Sequence, residues 1–250
     1  MPPASSLRED PASRRYLSDE YLKRNPSWDR EDSAWKAERV LRLMRRHALL
    51  GPRVVEVGCG AGLVLAELAR ALPEARFRGF DIAPDAARLW PPPGQISNLE
   101  LEVGDFLARE EAPYDLALIL DVVEHVGDPF DFLDRMLPKA AHHILHFPLD
   151  LSAVAVLRGS PLMHVRDKVG HLHFYTKDLA LALLVDAGYD VVEWAYTGAA
   201  FSAPQRTWRT RLASLPRRLA YALSKDAGVR LLGGETLMVL ARPAKVPTPR

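Results

Sequence analysis

A glycine-dense turn that joins an apolar strand to a helical segment is the feature that most constrains this chain. The largely apolar run at residues 54–57 leads directly into Gly58, Gly60 and Gly62, which stand at alternate positions. Glycine allows both a tight turn and a close approach of the backbone to a ligand. Apolar residues then recur at helical spacing over residues 63–72. The pattern predicts a small-molecule pocket above the N-terminus of a helix.

Two details of the turn indicate which ligand it binds. A dinucleotide-binding turn has its third glycine three residues after the second, and here Leu63 stands at that position. Glu56 precedes Gly58 by two residues, where its carboxylate would repel a pyrophosphate and attract an ammonium or a sulfonium group. S-adenosylmethionine carries both cations and no phosphate, so the turn favours S-adenosylmethionine over a nicotinamide dinucleotide.

The motif acid-x-Gly-x-Gly-x-Gly at residues 56–62 resembles the first motif of the class I S-adenosylmethionine-dependent methyltransferases. Residues 114–133 resemble the fourth-strand block of the small-molecule branch of that family, which includes ubiquinone-pathway O-methyltransferases. Blocks at residues 21–37 and 170–176 resemble flanking segments of one bacterial subgroup, and the likeness runs from Tyr16 to Pro243. It implies a Rossmann-like, doubly wound, seven-stranded, mostly parallel sheet with a helical N-terminal lid.

Composition narrows the class of protein further. With 250 residues, of which 48% are hydrophobic, the chain can bury the core of one α/β domain. Its 33 basic and 32 acidic residues give a net charge of +1, so no global field attracts nucleic acid. Cys59 is the single cysteine, which excludes an internal disulfide framework and suits a reducing compartment. No apolar run is long enough to span a bilayer, and we expect a cytoplasmic protein.

Composition and periodicity also divide the chain into segments. Residues 1–15 are rich in Pro, Ser and Arg and are expected to be disordered. Residues 16–48 are predicted to form a helical lid, with Ser33 as the N-cap of a helix that ends near a basic cluster. Residues 49–243 are predicted to be the methyltransferase domain, with acceptor-side and C-terminal insertions at 151–234, and residues 244–250 a tail.

Strands and helices are predicted to alternate through that domain. A helix from Thr176, as its cap, to Gly188 is the best signalled, and short helices are expected after Pro84 and Pro129. Such alternation favours a parallel sheet covered on both faces. The predicted strands lie at residues 53–57, 77–81, 99–103, 115–120, 143–147, 190–194 and 236–241.

Acids at strand ends are the candidate ligands of the donor. Asp81 follows Gly58 by about 20 residues, the offset at which an acid accepts from both ribose hydroxyls, although it could instead cap the turn that follows. The resemblance implies that Asp105 accepts from the adenine amino group and that Phe106 packs on the ring, whereas a Gly-Asp pair can also be an ordinary turn. The predicted donor-binding set is Glu56, Gly58, Cys59, Gly60, Gly62, Asp81, Ile82, Asp105, Phe106 and Asp121.

Methyl transfer to a hydroxyl needs an aligned acceptor and a base that removes its proton. His125 is the first candidate because it follows the fourth strand, where the methyl group should emerge, and His146 is the second. His171 and His173 are further candidates. Each of the four could instead bond a backbone carbonyl and hold a loop.

Asp121, Glu124 and His125 together resemble the divalent-metal site of ubiquinone-pathway O-methyltransferases. In that family the first acid is a glutamate, and the shorter arm of Asp121 departs from the pattern. We therefore predict no bound metal and keep a magnesium site as the alternative.

A basic amphipathic stretch at residues 206–221 has two readings. It interleaves arginines with large apolar residues and could rest weakly on an anionic membrane surface. The other reading is a solvated helix that covers the active site. The arginines are Arg206, Arg209, Arg211, Arg217 and Arg218.

These patterns predict O-methylation of a small organic acceptor with S-adenosylmethionine as donor. The chain lacks the Asn/Asp-Pro-Pro-aromatic element of enzymes that methylate adenine or glutamine nitrogen. The alternatives are an RNA methyltransferase, which would need a basic surface, and a non-catalytic S-adenosylmethionine-binding scaffold. A nicotinamide oxidoreductase is a distant third. The identity of the acceptor and the oligomeric state are left open by fold and donor site, which many chemistries share.

Overall fold

The structure is a computed structural model and describes residues 11–50, 53–111, 113–202 and 214–244. Within these ranges the chain forms a seven-stranded sheet with helices packed on both faces. The strands are β1 Arg53–Val57, β2 Arg76–Asp81, β3 Leu99–Val103, β4 Tyr114–Leu120, β5 Ala140–Pro148, β6 Tyr189–Tyr196 and β7 Thr236–Pro243.

The sheet has the order β3-β2-β1-β4-β5-β7-β6. Strands β1 to β5 pair in parallel, whereas β7 lies antiparallel to both of its neighbours, β5 and β6. The predicted Rossmann-like, mostly parallel fold is therefore confirmed. Successive strands run outward in opposite directions from β1 and β4, and ligands of such sheets bind at the carboxyl ends of the two strands at that switch point.

Burial of both faces explains why the strands read as continuous apolar runs. In β4, the four side chains from Leu116 to Ile119 are fully buried. Neighbouring residues along a strand point to opposite faces, so Val54 belongs to one core cluster and Val55 to the other. The strands whose ends form the cleft are thus packed between two hydrophobic layers.

The helices of the described residues cover the sheet and the carboxyl ends of its strands. In chain order they are α1 Pro11–Leu17, α2 Glu20–Arg24, α3 Ser33–Arg46, α4 Leu63–Ala71, α5 Pro129–Met136, α6 Ala153–Arg158, α7 Ser160–Lys168, α8 Lys177–Asp186, α9 Ala199–Ser202, α10 Ser214–Leu223 and α11 Lys225–Leu232.

Two local predictions at the N-terminus are corrected. Residues 11–15, expected to be disordered, lie in α1, because tertiary contacts of Arg15 and Tyr16 hold this helix on the domain. Residues 1–10 lie outside the described part of the chain. Ser33 is not the N-cap of α3 but its first residue, since the turn Arg30–Asp32 runs straight into the helix and Ser33 already has helical φ and ψ.

Other helix signals act as predicted. The Thr176 hydroxyl accepts from the backbone N–H of Leu179 and caps α8, which ends before Gly188. Asp128 accepts from two backbone N–H groups at the start of α5, with Pro129 as the first helical residue. In the basic stretch, α10 is helical from Ser214, and residues 203–213 fall outside the described ranges. No helix among the described residues is long and apolar enough to cross a bilayer.

Candidate functional site

The glycine turn lies where the carboxyl ends of β1 and β2 meet. The N–H groups of Gly58 and Cys59 both donate to the Phe80 carbonyl of β2, at 2.8 and 3.0 Å. Gly58 has a φ of +72°, and a Cβ there would lie 2.6 Å from Val122 Cγ2. Only glycine fits this turn. The backbone of the turn is thereby left open toward the cleft.

Asp81, the last residue of β2, fixes the turn in place. Its Oδ2 accepts from the N–H of Gly60 at 2.8 Å, and its Oδ1 accepts from the N–H of Ala83 at 2.8 Å. The side chain therefore caps the following turn, which is one of the two roles predicted for Asp81. Each carboxylate oxygen keeps a second lone pair, and Asp81 lines the cleft. Burial raises the pKa of Asp81 above its usual value.

The cleft consists of two adjoining cavities, which we call the outer and the inner cavity. The outer cavity, of about 470 Å³, is lined by six of the predicted donor ligands: Gly58, Asp81, Ile82, Asp105, Phe106 and Asp121. The inner cavity, of about 270 Å³, is lined by Glu56, Gly58, Cys59, Gly60 and Asp121. Gly62 lines neither among the described residues. A Cβ on Gly62 would lie 2.6 Å from Leu101 Cδ1, so this glycine serves packing.

Asp105 and Phe106 stand at the end of β3 as expected. Asp105 accepts from the N–H of Leu107 at 2.9 Å, which is the ordinary turn that a Gly-Asp pair predicts. Phe106 is almost fully buried and packs against Phe80 with ring centroids 5.2 Å apart. Both residues still border the outer cavity. Their roles toward an adenine ring stay predictions.

Glu56 belongs to β1 and lines the inner cavity. The residue is 2% exposed, and its Oε2 has no hydrogen-bond partner. Burial raises its pKa to about 8, and Lys36 opposes that rise. An unpartnered buried carboxylate oxygen is costly unless a ligand satisfies it.

Asp121, just past β4, is the centre of a closed polar network. It accepts from Lys36 Nζ at 2.6 Å and from His146 Nδ1 at 2.6 Å, and it adopts a positive φ of +55°. His146 Nε2 lies 2.7 Å from the Thr236 hydroxyl. Although burial alone would raise it, the pKa of Asp121 lies well below its usual value because His146 and Lys36 stabilise the carboxylate.

This network bears on His146 as a candidate base. Both of its ring nitrogens are engaged within the protein, and the side chain is almost fully buried. No ring nitrogen is left to accept a proton from an acceptor. The geometry favours a role for His146 in positioning Asp121.

His125 has a different arrangement. Its Nδ1 lies 2.8 Å from the Tyr16 hydroxyl and 3.3 Å from the Gly170 carbonyl, and the Tyr16 hydroxyl can donate to the Val169 carbonyl at 3.2 Å. Because a carbonyl only accepts, this network assigns the proton of the neutral ring to Nδ1. Nε2 then keeps its lone pair. Burial, reinforced by nearby His171, lowers the pKa of His125 to about 3, so the ring is neutral near pH 7.

Glu124 adjoins His125 and is fully buried. Neither of its carboxylate oxygens has a hydrogen-bond partner, and Oε1 lies 3.9 Å from His125 Nε2. Burial and the negative charge of Asp121 raise its pKa well above the usual value. Within the described residues, Glu124, His125 and His171 have ligand atoms close enough together to hold a metal ion, and Asp121 is not in that group. The alternative metal set therefore differs from the one that the resemblance implied.

The other two candidate bases, His171 and His173, lie in the loop after α7 and help to hold it. His171 Nδ1 lies 2.7 Å from Asp150 Oδ2, and its ring borders the inner cavity. His173 Nε2 donates to the Val126 carbonyl at 3.0 Å, which is a structural contact. Of this pair only His171 reaches the cleft.

Comparison with known proteins bears on the same region. Residues 55–142 match a family model described as "Methyltransferase domain". The ubiquinone biosynthesis O-methyltransferase of Xylella fastidiosa (strain 9a5c) is 33% identical over 97 residues, which are 37% of this chain and 39% of that protein. The chain thus matches about two fifths of the length of that relative.

Solved structures agree on the fold. Magnesium protoporphyrin IX methyltransferase (ChlM) from Synechocystis PCC 6803 with bound SAH has a TM-score of 0.56 at 16% identity, covering 84% of this chain and 83% of that one. The plantazolicin methyltransferase BpumL, in complex with a desmethylPZN analog and SAH, has a TM-score of 0.57 at 16% identity, covering 97% and 94%. Residues 55–142 thus match a methyltransferase domain, and the fold is that of solved S-adenosylmethionine-dependent methyltransferases, which supports a class I methyltransferase.

Sequence reasoning assigned no role to several residues that the lid brings to the methyltransferase domain. Tyr16, Tyr21 and Trp28 all line the outer cavity, and the Tyr21 and Trp28 rings lie 4.7 Å apart. The Trp28 indole lies 2.9 Å from the position of a Cβ on Gly60, directly against the glycine turn. The signal was present as an unusual density of aromatic residues before the first strand.

Lys36 was also missed. It lies on α3, is partly buried, and bonds Asp121 just past the end of β4. Burial alone would lower its pKa, but Asp121 holds the pKa of Lys36 above the usual value. Only the docking of α3 brings these two residues together, so no sequence pattern predicts the pair.

Proposed function

We propose that the protein transfers a methyl group from S-adenosylmethionine to a small organic acceptor, and that the methylated atom is a hydroxyl oxygen. The observation that carries the proposal is the open glycine turn, held by Asp81, above a buried carboxylate with an unsatisfied oxygen, Glu56 Oε2. That oxygen suits the ammonium group of the donor, and Asp81 suits its ribose hydroxyls. The residues present therefore fit the donor.

When bound, S-adenosylmethionine supplies an activated methyl group that passes to the acceptor oxygen as the bond from sulfur to carbon breaks. His125 is assigned as the base, because its Nε2 keeps a free lone pair beside both cavities. The proton leaves the acceptor oxygen and moves to Nε2. A weak base suffices, since the oxygen becomes strongly acidic as it gains the methyl group.

The acceptor is assigned to the inner cavity, beyond the glycine turn. Its lining includes residues of the proposed lid at 16–48, together with Pro148, Val169, His171 and Ala199 from the proposed domain at 49–243. A cleft lined by carboxylates gives no support to RNA as acceptor, because phosphates need cationic partners. Weak contact of residues 206–221 with an anionic membrane stays a prediction, for which the exposed Leu219 is the described support.

Calorimetric titration tests the donor half of the proposal. Purified protein is titrated with S-adenosylmethionine, S-adenosylhomocysteine and NAD, with and without magnesium. Binding of the two sulfur compounds and not of NAD is the expected result. Binding of NAD alone would overturn the proposal.

Turnover tests the other half. S-adenosylmethionine labelled in the methyl group is incubated with a panel of phenols and amines, and the products are identified by mass. Labelled methyl ethers are expected. Donor binding without turnover on any acceptor would favour the scaffold alternative.

A further inference from the structure

The inner cavity is lined by more acidic than basic side chains, in a protein whose overall charge is nearly balanced. Among the described residues that line it are five carboxylates and one lysine. The lysine, Lys36, is already paired with Asp121. Burial raises the pKa of two of these acids, Glu56 and Glu124. A cation beside them would lower those pKa values again, whereas an anion would raise them further.

Unsatisfied oxygens mark where such a cation would bind. Glu124 is fully buried and both of its carboxylate oxygens lack partners. Asp32 Oδ1 and Glu56 Oε2, also at this cavity, lack partners as well. Four of the eight unpartnered buried side-chain atoms in the described part of the chain therefore belong to one cavity.

The donor would provide a partner for only some of these unpartnered oxygens. Glu56 lies under the glycine turn, where the ammonium group of the donor is proposed to bind. Glu124 lies instead beneath the loop after α7, where its own carbonyl accepts from the N–H groups of Leu172 and His173. Its free oxygens remain after the donor is placed.

Aromatic rings complete the surroundings. Tyr21 and Trp28 line both cavities, and Trp35 borders the inner one. Aromatic faces attract organic cations such as ammonium groups. Hard metal ions instead require several oxygen ligands. The combination of a buried carboxylate and aromatic walls suits an organic cation.

We infer that the acceptor carries an ammonium or similar organic cation, which Glu124 receives in the inner cavity while the neighbouring hydroxyl is methylated. This inference rests on the proposed function. Because the hydroxyl faces His125 and the cation faces Glu124, the acceptor is an amine-bearing alcohol or phenol. A carboxylate-bearing phenol is excluded as a good acceptor.

Three phenols that differ only in the charge of their tail test the inference. The three are meta-substituted, so that the hydroxyl and the tail can reach His125 and Glu124 together. 3-Hydroxybenzylamine is cationic, 3-ethylphenol is neutral, and 3-hydroxyphenylacetate is anionic. Each is titrated into protein already saturated with S-adenosylhomocysteine, so that the ammonium site of the donor is filled. 3-Hydroxybenzylamine is expected to bind about tenfold or more tightly than the neutral phenol, and the anion is expected to bind most weakly.

Matched variants distinguish the proposed role of Glu124 from that of Glu56. Glu124→Gln should weaken binding of 3-hydroxybenzylamine about tenfold with little effect on S-adenosylhomocysteine. Glu56→Gln should weaken binding of S-adenosylhomocysteine with little effect on 3-hydroxybenzylamine. Glu67→Gln, an exposed acid on α4 paired with Arg70, is the control for both. Absence of S-adenosylhomocysteine binding would defeat the proposed function itself.

Two outcomes would overturn the inference alone. One is tight binding of S-adenosylhomocysteine with equal or reversed affinities for the three phenols. The other is binding of magnesium or zinc that depends on Glu124 while binding of 3-hydroxybenzylamine does not, which would assign the free oxygens to a metal.

Discussion

Asp121, Glu56 and Glu124 share one cleft, yet each carboxylate is held in a different electrostatic state. Lys36 and His146 keep the pKa of Asp121 well below its usual value, so it is a fixed anion. Burial raises the pKa of Glu56 to about 8 and that of Glu124 well above its ordinary range. Burial and neighbouring charges, and not residue type, therefore determine the pKa of each carboxyl, and a cation that binds beside Glu56 or Glu124 would lower the raised pKa again.

Replacing Asp81 tests the donor site at the scale of one residue. Asp81→Asn keeps one oxygen for the turn but loses the charge that accepts from the ribose hydroxyls. We expect binding of S-adenosylhomocysteine to weaken by about 1–3 kcal/mol. Calorimetry measures this, with Asp190→Asn, which breaks an exposed pair with Arg242, as the control. Unchanged affinity in Asp81→Asn would contradict the placement of the ribose.

Replacing His125 tests the base. In His125→Asn the side-chain amide can still donate toward the Gly170 carbonyl, but the lone pair of Nε2 is gone. We expect the turnover rate to fall by about a hundredfold or more while S-adenosylhomocysteine binds as before. Turnover on whichever acceptor the labelled screen yields is the measurement. Equal loss of binding and turnover would mean that His125 is structural.

The pH dependence of turnover gives an independent test of the same residue. The pKa of His125 is lowered to about 3, so the imidazole is neutral and able to accept a proton at every pH above that value. Turnover should therefore show no histidine inflection near pH 6.5 and should decline only at much lower pH. A clear loss of turnover as the pH falls through 6.5 would show that the catalytic base has an ordinary pKa.

Some of these residues could be found from sequence and others could not. Asp81 and the glycines stand at fixed spacings within one strand-turn-helix unit, so local geometry determines their positions. The pairing of Lys36 with Asp121 and the lack of partners at Glu124 depend on how distant segments pack. Asp121 and Glu124 were therefore named, but their chemical states were not predictable.

At the scale of elements, the strands were predicted well because each is an apolar run closed by turn residues. The bounds of β1 and β3 agree at both ends, and β5 extends beyond its prediction by three residues at its start. Helices α6 and α7 were not predicted, since their surfaces include exposed apolar residues such as Leu157 that blur any amphipathic pattern. Helix α1 was not predicted because long-range contacts hold it.

The contact between the lid and α7 is the element-scale feature to test. Arg15 and Arg24 donate to the carbonyls of Arg166 and Asp167, which end α7. These carbonyls lie at the negative end of the helix and have no partner within it. The double variant Arg15→Ala, Arg24→Ala should expose residues 11–24 to faster hydrogen exchange and weaken S-adenosylhomocysteine by about threefold to tenfold.

The control for this variant is Arg14→Ala, which removes an exposed arginine from the same helix α1. Exchange is followed by mass spectrometry on peptides of the lid, and affinity by calorimetry. If protection and affinity were the same in both variants, the two arginines would not hold the lid.

At the scale of the whole molecule, buried histidines link stability to pH. His143 in β5 is fully buried, donates to the Met136 carbonyl, and has its pKa lowered to about 4 by burial. Between pH 6.5 and 4 the unfolded chain binds a proton there that the folded chain does not. The folded state therefore loses about 1.4 kcal/mol for each pH unit as the pH falls through this window.

His143→Gln isolates this effect, because glutamine can still donate to Met136 but does not titrate. The wild type must be compared with this variant, because the raised pKa values of Glu56 and Glu124 change the stability of both proteins with pH in the opposite direction. Urea unfolding of both proteins should show the wild type losing stability relative to the variant as the pH falls from 6.5 to 4. A difference independent of pH would mean that His143 is protonated normally in the folded state.

The antiparallel strand β7 also affects how the molecule is made. Edge strand β6 pairs with β7, and β7 comes last among the described elements. During synthesis from the N-terminus, β6 leaves the ribosome before β7, and its backbone groups stay unpaired until β7 emerges. The parallel strands β1 to β5 can assemble meanwhile. Chaperones that shield nascent strands would therefore act on this protein late, over the residues between β6 and β7.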